Sequence, residues 1–319
     1  MSILNSGRTG LGGGAVGMMK RLIELACAQA NERKQFGKAL REFGLIKLKV
    51  GKMIVDCYAA ESAVSMVAGL IDQGYEEYAI EAAISKVFAS EALWSVADEA
   101  LQIAGGNGYM CEFPYERMLR DARINRIFEG TNEVLRLFIA LMAMKQVGVE
   151  LKELAASLKG VFDAPIQGIG VLSQYVIRRA SLATGIDRAK SAFSKLHPLL
   201  QGSAELFEDS VRDLATAADR ILRKHGTRVV EKQVATKRLA NIMIDLFVSA
   251  AVLSRVDGAI REKGPDEAAK EIEIQSVFTH QARRRIRYNF GLIDNNDDEQ
   301  IKALGDHAFD RTRYSWDSI

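Results

Sequence analysis

Proline is scarce, with four in 319 residues. Because proline marks turns and sheet edges, its rarity beside abundant Ala, Leu, Glu, Lys and Arg argues against a strand-and-turn architecture and for long helices. Cysteine is scarcer still, at Cys27, Cys57 and Cys111. The three lie far apart in apolar or mixed contexts without metal-ligand spacing, which argues against a disulfide framework and predicts buried thiols in a reducing compartment. Histidine occurs only at 197, 225, 280 and 307. No His-x-x-x-His, paired-Cys or Glu-x-x-His arrangement is present, so metal catalysis has no ligands to stand on, and a Ser-His-Asp hydrolase is equally unsupported.

Charge excess is also missing. A net charge of +2 offers no bulk electrostatic reason to expect nucleic acid or a membrane surface. No apolar run reaches the roughly 18 residues of a membrane span, and the N-terminus lacks the basic-then-apolar layout of a signal peptide. The expectation is a soluble, intracellular protein. Met1 opens almost directly into helix-like sequence, so a portion of a longer chain is also expected.

What remains is helical period. With 48% hydrophobic residues, the chain can bury a substantial core, and its length favours two domains. From Leu11 to Asn31, Val16, Met19, Ile23 and Ala26 or Cys27 share one face. Gly12, Gly13 and Gly14 would weaken that helix by about 1 kcal/mol each relative to Ala, so either another group approaches closely or the start is flexible. Phe43 to Gln73 and about Tyr75 to Ala104 read as long helices, the second rich in small residues, with the pattern of an antiparallel pair in a four-helix bundle. A short charged helix starts at Pro114, and a helix capped by Thr131 or Asn132 runs to about Gln146.

Residues 147–185 read as a glycine-rich connector with helices near 150–158 and 172–182. Beyond it, 202–225, 228–261, 266–291 and 299–309 return to the helical period, with breaks at Gly226 and Gly264-Pro265. The predicted fold is all-α: a four-helix up-and-down bundle over 1–146, a connector over 147–185 and a bundle-like extension over 186–319. The basic run Arg283 to Arg287 is open to three readings, namely a solvated helix face, an anionic lipid contact or a protein contact. The tail through Tyr314 and Trp316 is expected to be mobile or to lie on a neighbour.

Chemistry concentrates between Gln102 and Phe138. Gly105, Gly106 and Gly108 suit a helix end and allow close approach to the backbone; without a preceding strand they make no Rossmann loop. Glu116, Arg117, Arg120, Asp121, Arg123 and Arg126 alternate with apolar residues, and the default reading is a salt-bridged helix. Glu129 lies between Ile127-Phe128 and Gly130-Thr131. In an apolar wall its carboxyl would be better matched to abstracting a carbon-bound proton; a helix-capping role is the other reading. Upstream, Arg33 and Gln35 in a charged break could present donors to a phosphate or simply be solvated.

Four pieces of this sequence resemble, in order and spacing, the C-terminal helical domain of the acyl-CoA dehydrogenase family. They are Arg33-Lys34-Gln35-Phe36-Gly37, Gln102-Ile103-Ala104-Gly105-Gly106-Asn107-Gly108-Tyr109, Glu116-Arg117 through Arg120-Asp121, and Phe128-Glu129-Gly130-Thr131-Asn132. They cover about the first 145 residues. The remainder resembles the extension of the very-long-chain branch and of its relative in respiratory complex I assembly, through Leu154 to Lys159, His197-Pro198 and Arg238-Leu239-Ala240 followed by Ile244-Asp245-Leu246.

The resemblance implies that Glu129 removes the α-proton of a long-chain acyl-CoA while FAD accepts the β-hydride, giving a trans-2-enoyl-CoA. It implies that Arg33, Gln35 and Phe36 contact FAD across a subunit interface, that Gln102, Gly105 and Gly106 meet its adenosine and diphosphate portion, and that Thr131 and Glu133 lie near it. Phe128 and Gly130 would flank the substrate, and Arg8 would be an internal support. Some branches carry the base immediately before the residue matching Arg8; here that position is Gly7. Glu133 stands where better-known branches carry an amide. The implied partners are an electron-transferring flavoprotein and a second copy in a homodimer, with peripheral membrane contact through the extension. The implied location is the bacterial cytoplasm or the mitochondrial matrix. The family's N-terminal helical and middle β-domains do not occur in this sequence. The competing reading is a non-catalytic helical assembly domain that binds a protein partner or a membrane surface.

Overall fold

The computed structural model describes residues 2–157, 196–225, 229 and 231–316. Among these the protein is helical apart from one small hairpin, as an all-α chain should be. The first helix, α1 (Ser2–Glu32), starts well before Leu11. Its glycines therefore lie inside a helix, and one has a clear packing reason. A Cβ on Gly12 would sit 2.9 Å from Val64 Cγ2 and 3.0 Å from Ser85 Oγ, so α1 contacts the next two helices through bare backbone. No such contact exists at Gly13 or Gly14.

The charged break after α1 folds into a two-residue antiparallel hairpin, β1 (Lys34–Gln35) and β2 (Lys38–Ala39). Phe36 and Gly37 form its tip, both with positive φ. Two strands this short carry no hydrophobic alternation, which is why periodicity did not reveal them. Next come α2 (Gly44–Asp72) and α3 (Ala79–Ala104). α3 is alanine-rich and ends where Gly105 takes φ 63°, a conformation that a side chain would strain. The short helices α4 (Gly106–Tyr109) and α5 (Tyr115–Ile124) lead to α6 (Asn132–Ser157). α6 runs through the expected break near 147. The helix expected near 172–182 lies outside the described residues.

Cross-helix contacts fix the direction of the bundle. Lys49 pairs with Glu99 and Lys20 with Glu61, while Gly12 faces both Val64 and Ser85. α2 is therefore antiparallel to α1 and α3, and α1 and α3 run the same way. One core, with Met19, Leu22, Met53 and Leu93 fully buried, lies between these helices and α5.

The extension comprises α7 (Gln201–His225), α8 (Gln233–Lys263), α9 (Ala269–Gly291) and α10 (Asp298–Arg311). It shares a core with the bundle. Ile139 and Leu135 of α6 and Val87 of α3 belong to the same buried cluster as Leu214, Leu246 and Phe278, and Phe88 meets Phe278 edge-on at 6.0 Å. Each such side chain removed from water contributes about 1.5–3 kcal/mol.

Several expectations need correction. By length and composition α2 and α8 could cross a membrane; the most apolar window of α8 is 78% buried inside the protein. Isolated charges interrupt both runs, yet the averaged windows remain apolar. Cys57 is buried, and burial pushes its thiol up to about 11, whereas Cys111 is exposed in the irregular segment after α4. The basic run on α9 is not one solvated face, because Arg285 turns inward to Asp245 on α8 (Nη2–Oδ1 2.6 Å) while Arg284 and Arg287 face water. Trp316 stacks near His307 of α10, with ring centroids 5.2 Å apart.

Candidate active site

The turn from Phe128 to Thr131 holds two successive residues in the left-handed region. Glu129 has φ 58° and Gly130 φ 93°. For a glutamate the left-handed region costs about 1–3 kcal/mol and persists only where surrounding contacts hold it. Here they do. Arg8 Nε donates to the Glu129 carbonyl at 3.3 Å, and Lys86 Nζ donates to the Gly130 carbonyl at 2.9 Å. The Asn132 N–H reaches back to the Arg126 carbonyl at 3.1 Å. Two cations and one amide thus pin three successive parts of the turn.

The Glu129 carboxylate points toward α1. A Cβ added to Gly7 would lie 3.1 Å from Oε1 and 3.2 Å from Oε2, so the acid occupies space that only a glycine leaves free. Its Oε2 is buried with no hydrogen-bond partner among the described residues. A buried carboxylate oxygen without a donor is costly unless something else occupies the site. Its neighbour Phe128 is 47% exposed.

Thr131 is the helix cap: its Oγ1 accepts from the Val134 N–H at 3.3 Å. Asn132 is the first residue of α6, fully buried and turned inward. Its Oδ1 accepts from Lys86 Nζ at 2.8 Å, and its Nδ2 donates to Ser90 Oγ at 2.9 Å and Glu91 Oε1 at 3.0 Å. Lys86 itself is completely buried. Burial, helped by the Arg8 cation, brings its ammonium down from 10.5 to about 8, against the pull of Glu91, Glu133 and Glu129. Burial likewise lowers Arg8, with Glu129 opposing. Glu133 is exposed at the start of α6. Its carboxyl is held below the ordinary value, first by its own backbone N–H and then by the Thr131 hydroxyl, against desolvation.

Lys86 was not among the residues singled out in the sequence, and Asn132 stood there only as a cap candidate and a motif member. The signal was available: one lysine within the small-residue face Ala82-Ala83-Ser85-Ser90, where a charge has no place unless it is paired.

The remaining candidates lie elsewhere on the bundle. Gln102, Gly105 and Gly106 are exposed at the C-terminal end of α3, 16 residues beyond Lys86 and so about 24 Å along the helix axis. Added Cβ atoms on Gly105 and Gly106 would meet nothing within 4 Å, so the backbone there is open to a ligand. Arg33, Gln35 and Phe36 are exposed on the hairpin after α1, with Phe36 92% exposed. Tyr115 Oη, downstream of α3, donates to the Leu25 carbonyl near the end of α1, which places hairpin and glycine cluster toward one end of the bundle. One chain brings Phe128, Glu129, Gly130, Thr131 and Glu133 together and leaves Arg33, Gln35, Phe36, Gln102, Gly105 and Gly106 apart from them.

Residues 1–144 match the family described as acyl-CoA dehydrogenase, C-terminal domain, and residues 198–312 match the ACAD9/ACADV C-terminal domain. The chain belongs to the acyl-CoA dehydrogenase family. It is 40% identical over 296 residues to the human very long-chain specific acyl-CoA dehydrogenase, covering 93% of this chain and 44% of that protein. A probable acyl-CoA dehydrogenase of Bacillus subtilis is 32% identical, covering 89% of this chain and 47% of that protein. The crystal structure of a Bacillus anthracis acyl-CoA dehydrogenase complexed with FAD superposes with a TM-score of 0.72 at 28% identity, covering 98% of this chain and 53% of that one. The chain spans about half the length of the acyl-CoA dehydrogenases it matches.

Proposed function

We propose that this chain is the C-terminal, base-carrying portion of an FAD-dependent dehydrogenase that converts long-chain acyl-CoA to trans-2-enoyl-CoA in fatty acid β-oxidation. The observation that carries this reading is the Glu129 carboxylate, held on a left-handed turn with one buried oxygen unpartnered. When bound, FAD supplies the hydride acceptor. Glu129 takes the substrate's α-proton onto its carboxylate, and its backbone N–H polarises the thioester carbonyl, so that base and enolate stabiliser belong to one residue. Arg8 and Lys86 fix the Glu129 and Gly130 carbonyls, the two that flank Gly130, and so hold the turn that carries the base.

The residues fit a cofactor approached from two places. Gln102, Gly105 and Gly106, with open backbone, would take one part of FAD, and Thr131 and Glu133 lie beside the base. Arg33, Gln35 and Phe36 would reach the FAD of a second copy, in keeping with a hydrophobic ring 92% exposed at the hairpin tip. A homodimer follows from that arrangement. Electrons would leave through an electron-transferring flavoprotein. The preference for long chains rests on the very-long-chain relatives, and their extension is the part proposed to touch the membrane peripherally. The mitochondrial matrix or bacterial cytoplasm is the proposed location. Alone, with about half the length of its relatives, the chain is expected to bind FAD weakly and to turn over negligibly.

The test uses the full-length dehydrogenase that carries this sequence. It should be yellow and bleach on addition of palmitoyl-CoA. Glu129→Gln should keep the flavin, fail to bleach and lose about 10²–10⁴-fold in turnover. Near-normal turnover in that variant would remove Glu129 as the base.

A further inference from the structure

A continuous chain of hydrogen bonds runs from the extension into the Glu129 turn. On α9, Asn289 Nδ2 donates to the Arg285 carbonyl at 2.8 Å, and Asn289 Oδ1 accepts from Asn241 Nδ2 of α8 at 3.0 Å. Asn241 Oδ1 accepts from Arg136 Nε of α6 at 2.8 Å. The same guanidinium, through Nη1, reaches Glu91 Oε1 at 3.3 Å and the Asn132 carbonyl at 3.2 Å. Glu91 Oε1 also accepts from Asn132 Nδ2. Asn132 and the Gly130 carbonyl share the Lys86 ammonium. Arg136 is its central donor, giving hydrogen bonds to Asn241 on one side and to Glu91 and the Asn132 carbonyl on the other; Asn132 and Lys86 are fully buried, Asn289 is 8% exposed, and Asn241, Arg136 and Glu91 are half-buried.

We infer that Asn241 is a positioning residue through which the extension holds the Glu129–Asn132 turn in its active geometry, acting by way of Arg136 and Glu91. Arg136 has three acceptors on three different segments: an α3 carboxylate, an α6 carbonyl and an α8 amide. Without Asn241, Nε of Arg136 loses its acceptor in a partly dry junction, and the guanidinium has a reason to leave Glu91 and Asn132. Glu91 is held on its other side by Arg126 (Nε–Oε2 3.1 Å), whose carbonyl accepts the Asn132 N–H, so disturbing Glu91 disturbs both sides of the turn. The apolar contact between Phe88 and Phe278 holds bundle and extension together but carries no direction. The amide relay is what gives the junction a defined register.

The inference rests on the proposed role of Glu129 for its catalytic meaning but not for its structural content, and two measurements separate them. The first is hydrogen exchange on this chain, comparing Asn241→Leu, Asn241→Asp and Asp298→Asn. The last breaks an ion pair of the extension that takes no part in the relay. Asn241→Leu should speed exchange across residues 126–135 by about tenfold, whereas Asp298→Asn should lower the melting temperature and leave that segment protected. Asn241→Asp keeps the acceptor for Arg136 and should retain the protection. Equal exchange in Asn241→Leu and Asp298→Asn would overturn the inference, whatever the chemistry of Glu129. The second measurement is made in the full-length dehydrogenase, where Asn241→Leu should lower kcat about tenfold with KM and flavin content unchanged. Faster exchange with unaltered kcat would leave the relay as structure only and refute its positioning role.

Discussion

Gly7 and Glu129 share one small volume: the carboxylate of Glu129 lies where the side chain of residue 7 would begin, 3.1 Å from an added Cβ. Gly7→Ala therefore sets two effects against each other. In the interior of α1, replacing Gly by Ala gains about 0.5–1 kcal/mol in helix stability. The added methyl group displaces the end of a glutamate, which yields easily, by a few tenths of an ångström. The variant should melt at the same temperature or higher, while the full-length enzyme loses about tenfold in kcat through a misplaced base. Thermal melts and steady-state kinetics on the same preparation check both signs.

Lys86 gives a pH-dependent prediction. Its ammonium loses its proton near 8 in the folded state and at 10.5 when unfolded. Between these values the unfolded chain binds more protons than the folded one, so stability contributed by this group rises with pH across the window and is lowest below 8. Lys86→Met removes that titration and leaves the Gly130 carbonyl and Asn132 Oδ1 without their donor, at a cost of about 1–3 kcal/mol for each buried group. Denaturant melts from pH 7 to 10.5 should show the wild type pulling further ahead of the variant as pH rises. A constant difference would mean that folding leaves the proton affinity of Lys86 unchanged.

What could be read in the sequence and what could not divide along physical lines. The long helices were legible because α2, α3, α8 and α9 bury enough apolar surface to impose their period on the sequence. Glu129 was legible because a carboxylate beside Gly-Thr-Asn is unusual in local context. Lys86 was not, since it lies 43 residues away and meets the turn only through tertiary packing, and Arg8, 121 residues away, was marked by the family resemblance alone. Arg285 looked like one of three arginines in a row, but its pairing with Asp245 depends on the crossing of α8 and α9. The hairpin at 34–39 is two residues per strand, too short for any pattern to show.

The extension has its own acid-sensitive lock. Arg238, 8% exposed on α8, grips both oxygens of Asp298 at 2.7 Å, and Asp298 begins α10. Those hydrogen bonds hold the Asp298 carboxyl below its ordinary 3.8, against the opposing effect of burial. As pH falls through 3.8 the unfolded chain takes up this proton first, so the contribution is present above that value and lost as pH falls below it. Asp298→Asn should cost about 1.5–3 kcal/mol at neutral pH. The difference from wild type should shrink below pH 3.8, and urea melts at pH 7 and pH 3 measure both ends.

Phe36 separates folding from cofactor binding most cleanly. Its ring is 92% exposed at the hairpin tip, on a backbone with φ 52°, and meets Phe43 edge-on at 6.4 Å. A phenylalanine so placed contributes little to the stability of its own chain. Phe36→Ala should therefore change the unfolding free energy of this chain by no more than about 0.5 kcal/mol. If the hairpin reaches the cofactor of a second copy, the same substitution in the full-length dehydrogenase should weaken FAD retention and dimer stability together. The lost ring contact should raise the FAD dissociation constant by about tenfold, the scale of an aromatic contact worth 0.5–1.5 kcal/mol. Fluorescence titration of flavin-stripped enzyme, paired with sedimentation at several concentrations, decides the matter: undiminished FAD affinity in a stable dimer would place the cofactor away from the hairpin.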